Sequence, residues 1–163
     1  MTVRLDVLKS TMLAAVLAPL AAIALAVAAT PARADRCDDI ANQLRSQIDG
    51  LKVGITAANV IYLSHPLAKE LSLGCANRSY SNELYAKAGS RKPKPEFVDL
   101  VASAAAIVFT LPKDDMRKGV ARCLSQMGIL RGDDVKSRYR RLDMNCSRTR
   151  TEVSIAISRG RDE

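Results

Sequence analysis

Three sets of side chains in this chain could do chemistry: four cysteines, one histidine and a cluster of arginines. Cys37, Cys75, Cys123 and Cys146 are widely spaced and contain no Cys-x-x-Cys. An even count in that pattern fits two structural disulfides better than a redox centre or a zinc knuckle. Three pairings are open, and spacing alone does not choose among them. His65 is the only histidine and lies between Ser64 and Pro66. A general base needs a nucleophile and an orienting acid. Ser64 is adjacent, but strand neighbours point to opposite faces. His65 is therefore a weak catalytic candidate, for a small secreted hydrolase, and a good turn residue.

The arginines carry the more suggestive chemistry. Arg138, Tyr139, Arg140, Arg141, Arg148 and Arg150 gather near the end, with Arg159 beyond them. Guanidinium forks match phosphate and carboxylate groups bidentately. Between Arg131 and Arg161 nine cations face four anions. The competing explanation is an ordinary solvated sheet face. No metal or cofactor is expected, because one histidine and scattered carboxylates offer no ligand set with usual spacing. The pairs Asp38-Asp39, Asp114-Asp115 and Asp133-Asp134 stand near expected helix starts, where the helix dipole favours them. A Gly-rich phosphate loop and a Gly-x-Ser-x-Gly elbow are both absent.

The anions this protein meets depend on its compartment. Arg4 and Lys9 precede an apolar run from Met12 to Ala29, and Ala32-Arg33-Ala34 follows. That order is a Sec-type signal peptide, cleaved after Ala34. The run is alanine-rich and holds Pro19, so it makes a poor permanent anchor. Periplasmic or secreted localisation is expected, with residues 35–163 as one disulfide-stapled globular domain. Of 163 residues, 129 remain after cleavage, with 22 basic against 16 acidic. That length holds one core. Expected partners are an anionic cell-envelope component or an acidic protein. Nucleic acid is not the default outside the cytoplasm, and no stable membrane span should survive cleavage.

Periodicity supplies the elements that must position these groups. Ile40, Leu44 and Ile48 recur at helical spacing, which predicts a helix over 38–48. From Leu51 to Leu63 apolar residues alternate, broken by Asn59, which predicts one long strand over 51–64, bent near Ala57-Ala58. His65-Pro66-Leu67 turns the chain into a strand over 70–76, pairing Leu63 with Leu71 and Ile61 with Leu73. A short helical piece is expected from Asn82 to Ala88. Residues 96–111 form a helix apolar nearly all round, and 113–127 a second helix packed on it as a hairpin. Strands over 138–146 and 151–159 complete the set, aligning Met144 with Val153 and Leu142 with Ile155. The order predicts an α+β fold with a mostly antiparallel sheet of about four strands and helices mainly on one face.

The leader, the preference for arginine over lysine and the stretch Asn59-Val60-Ile61-Tyr62-Leu63-Ser64-His65-Pro66 resemble small exported proteins of unknown function from GC-rich proteobacteria. The resemblance spans most of the mature chain and brings no functional motif with it. Function therefore rests on the residues: an exported binding or accessory protein that meets anions through its basic C-terminal hairpin, with a hydrolase using His65 as the alternative.

Overall fold

The structure, a computed structural model, describes residues 32–76, 80–128 and 132–160. Residues 1–31 of the expected leader lie outside the described residues. Helix α1 (Ala32–Gln47) leads into four strands, β1 (Lys52–Ala57), β2 (Val60–His65), β3 (Ala68–Gly74) and β4 (Tyr80–Ala88). Helices α2 (Pro95–Phe109) and α3 (Lys113–Gln126) follow, then β5 (Asp134–Tyr139), β6 (Leu142–Arg148) and β7 (Val153–Gly160). The strands form one antiparallel sheet in the order β1-β2-β3-β4-β7-β6-β5. Two meanders thus meet where β4 pairs with β7. Among the described residues, no helix is long and apolar enough to cross a membrane.

The core follows from strict alternation. Ile61, Leu63, Leu71, Leu73, Leu84, Ala86, Met144, Cys146, Ile155 and Ile157 are buried, and their registers place them on one face. Helix α2 lies over that face and buries Phe97, Leu100, Val101, Ala104, Ala105, Val108 and Phe109. Thr110 ends it in the left-handed conformation, at φ 53°, and its N–H donates to the Ala106 carbonyl. Arg159 also closes this end, donating from Nη2 to the Phe109 carbonyl at 3.0 Å. A cation at a helix C-terminus satisfies an orphan carbonyl and opposes the dipole.

Two disulfides tie the helical layer to the sheet. Cys37 of α1 bonds Cys75, just beyond β3, and Cys123 of α3 bonds Cys146 of β6. They close loops of 38 and 23 residues. Restricting the unfolded chain over such loops is worth about 3 to 4 kcal/mol each.

The sheet has seven strands, not about four, and each discrepancy has a physical cause. The run 51–64 is two strands, because Ala58 and Asn59 both adopt positive φ, 50° and 65°, and make a two-residue hairpin turn. Asn59 anchors that turn. Its Nδ2 donates to the Cys75 carbonyl at 3.3 Å, and its own carbonyl accepts from the Cys75 N–H at 2.9 Å. The run 138–146 folds likewise at Arg140 and Arg141, at φ 51° and 62°, into β5 and β6. The segment Asn82–Ala88 is strand, not helix. It occupies the middle of the sheet, where pairing with β3 and β7 overrides its helix-forming residues. The pairing of Ile61 with Leu73 and Leu63 with Leu71 is as expected. The last hairpin is shifted: Met144 faces Ile157, four residues beyond Val153. An even shift keeps every side chain on its face.

Helix α3 approaches β5 and β6 so closely that a side chain at one position would force its neighbours to shift. A Cβ on Gly119 would lie 2.7 Å from Met144 Cε and 2.8 Å from Tyr139 Cδ1. Gly119→Val should therefore lower stability by about 1–3 kcal/mol through overpacking, read as a lower urea midpoint. An unchanged or raised midpoint would contradict this packing.

Candidate functional site

Among the described residues, no helix lies on the second face of the sheet. Its central row, read across paired strands, is Tyr62, Ser72, Tyr85, Ala156, Asn145 and Lys136. The adjacent row is Val60, Gly74, Glu83, Ser158, Asp143 and Arg138. Small side chains on β7 lie between taller ones on β4 and β5. They floor a basin of about 460 Å³, bounded by Glu83 on one side and by Lys136 and Arg138 on the other. Its charges balance, since Glu83 and Asp143 are acidic. Sequence reading missed Lys136, because the strand carrying it was expected to begin at Arg138. The alternation Val135, Ser137, Tyr139 against Lys136, Arg138 was the signal for an earlier start.

The structure divides the arginine set. Arg138, Arg140 and Arg141 cluster at the β5–β6 turn, whereas Arg148 and Arg150 lie at the far end of β6. Seven residues of strand separate the two groups, roughly 24 Å at the usual rise. Arg138 faces Asp143 across the ladder at 3.8 Å, and Arg140 reaches Asp115 of α3 at 3.4 Å. Arg141 is exposed and forms no ion pair among the described residues. Arg148 is more committed: its Nε donates to Asp133 at 3.0 Å and its N–H to the Asp133 carbonyl at 2.8 Å. Tyr139 does not share a face with Arg141, as a continuous strand would require. The turn pairs it with Leu142, so its ring packs toward the core over Gly119.

His65 is held on both ring nitrogens. Nδ1 accepts from the Leu67 N–H at 3.1 Å, so Nε2 carries the hydrogen and donates to the Asp49 carbonyl at 3.0 Å. Gly50, at φ 78°, lets the α1–β1 turn bring that carbonyl over. The imidazole thus joins two turns. The hollow beside it, about 240 Å³, is lined by Lys52 and Lys69 and by no carboxylate. Among the described residues, no three His, Cys, Asp or Glu side chains converge as a metal site requires.

A chain of four charges runs from β3 and β4 to the start of β7, with Glu70 and Lys87 on the uncovered face. Glu70 accepts from Lys87 at 3.0 Å, Lys87 also reaches Glu152 at 3.0 Å, and Glu152 pairs with Lys69. Hydrogen bonds from Lys69, then Lys87, hold the Glu152 carboxyl below its ordinary range. Hydrogen bonds to Glu152, then Glu70, raise Lys87 well above the usual lysine value. No protein-family model, no curated protein and no solved structure matches this chain. The reading of its function therefore rests on the geometry alone.

The charge chain has a pH signature. A depressed carboxyl stabilises the fold above its unfolded value, about 4.3, and that stabilisation is lost as pH falls through the folded value. A raised lysine contributes below about 10.4 and loses its contribution as pH rises through its folded value. Glu152→Gln should thus melt below the wild type at pH 6, and the gap should close as the pH is taken down to 2. A gap that stays constant from pH 2 to 7 would rule out this role.

Proposed function

We propose that this chain is an exported, non-catalytic binding module that holds an anionic cell-envelope component along the β5 edge of its sheet. Four cations support the reading. Lys136 and Arg138 lie roughly 7 Å apart on β5, and Arg140 and Arg141 follow in the turn that ends it. Lys136 and Arg138 point to the uncovered face, and Arg140 and Arg141 form the exposed turn. Arg138 meets an exposed Asp143 at 3.8 Å, and Arg140 a half-buried Asp115 at 3.4 Å. Such pairs are worth about 0.2–1 kcal/mol, little enough for a multiply charged partner to displace. They also hold the guanidinium groups apart and ready. Two disulfides and the absence of a membrane-spanning helix among the described residues are compatible with export.

His65 lends the hydrolase alternative no support, since both ring nitrogens are engaged by backbone groups. The Glu83, Asp143, Lys136 and Arg138 basin beside the edge would favour a partner with polar groups of both signs near its anionic part.

The test is retention on heparin and on phosphatidylglycerol vesicles as a function of salt. Each arginine near an anionic surface is worth about 1 kcal/mol. The variant with Arg138, Arg140 and Arg141 all changed to Ser should therefore bind roughly a hundredfold more weakly at low salt. Retention unchanged in that variant, or insensitive to salt, would remove the proposal.

A further inference from the structure

A third concavity lies on the helical side of the molecule, at the opposite end of β6. It runs between the 89–94 loop, the C-terminal half of α3 and the start of β7, and encloses about 320 Å³. Its floor is aliphatic, from Val98, Leu124 and Val153. Its charged lining residues are Arg91, Lys92 and Arg148, all cations. The basin on the uncovered face, by contrast, has as many acids as bases.

Asp133 fixes this rim from behind. It accepts from Arg148 Nε at 3.0 Å and meets Arg91 Nη2 at 3.6 Å. Both guanidinium groups are thus tethered side by side, and the Arg148 side chain is only 18% exposed. One carboxylate against three cations leaves the rim positive. An apolar floor beside a preorganised cationic rim matches an amphiphile with one anionic head. The volume is at the small end of ligand sites, which fits a short chain.

We propose that this groove binds an acyl carboxylate, the head on Arg91, Lys92 and Arg148 and the chain over Val98, Leu124 and Val153. The site is independent of the β5 edge, so the two proposals fail separately. The free carboxylic acid is the ligand source proposed, because the groove has room for one chain and its rim for one head.

The probe is decanoate, titrated below its micelle concentration into the oxidised protein by calorimetry. Saturable one-to-one binding is expected, and it should weaken by about fourfold for each methylene removed from the chain. Decanol and decyltrimethylammonium should bind far more weakly. Arg91→Glu with Lys92→Glu should weaken decanoate at least tenfold. Ala121→Trp should block the groove while leaving the melting temperature unchanged, since Ala121 is an exposed lining residue. The Arg138, Arg140 and Arg141 variant should bind decanoate like the wild type. No saturable binding, equal binding of decanol, or wild-type affinity in the Arg91/Lys92 variant would each overturn the proposal.

Discussion

Alternate side chains along β2, β3, β4, β7 and β6 are aliphatic, and together they oblige one whole face of the sheet to leave water. Burying each large aliphatic group contributes about 1.5–3 kcal/mol, so the helices have no freedom to choose another face. Helix α2 is apolar nearly all round because it is packed on the sheet below and on α1 and α3 beside it. The two flanking helices each carry one disulfide to the sheet. The bonds hold in place a layer that a core with two phenylalanines and no tryptophan must otherwise retain by aliphatic contact. Close approach at Gly119 belongs to the same arrangement.

Among the described residues, the helices cover one face of the sheet and leave the other open. Its residues are small on β7, aromatic on β2 and β4, and charged on β5. The Glu70, Lys87, Glu152 and Lys69 chain leaves Lys69 and Glu70 exposed and partly buries Lys87 and Glu152. The two sheet edges also differ. β5 carries a charge at every second position, a pattern that discourages pairing with another strand. β1 carries one lysine, and Ile55 upon it is 73% exposed. The charged edge is therefore unsuited to an added strand.

The periodicity of the sequence carried the fold class, the buried parity of β2, β3, β6 and β7 and the presence of the three helices, but not the side of Ile55, which is exposed on β1. It did not carry the strand count. Ala58-Asn59 and Arg140-Arg141 make left-handed turns without a glycine, and such positions cost roughly 1–3 kcal/mol that surrounding contacts must offset. At Ala58-Asn59 those contacts come from Cys75 and Ala76, and at Arg140 from Asp115, none of them close in sequence. The disulfide pairing was likewise non-local. The arginine cluster was legible as composition and illegible as a surface. Two left-handed residues moved Tyr139 to the core side, Arg159 closed a helix, and Arg148 joined Asp133 at the other end.

Hydroxyl-radical footprinting of the free, oxidised protein addresses the one-sided sheet most directly. Tyr62, 49% exposed, and Tyr85 should be labelled readily, while Met116 and Met144, at 0% and 1%, should be protected until the disulfides are reduced and the chain unfolds. Protection of Tyr62 and Tyr85 equal to that of Met144 would mean that a second layer covers the sheet, and the account would be wrong.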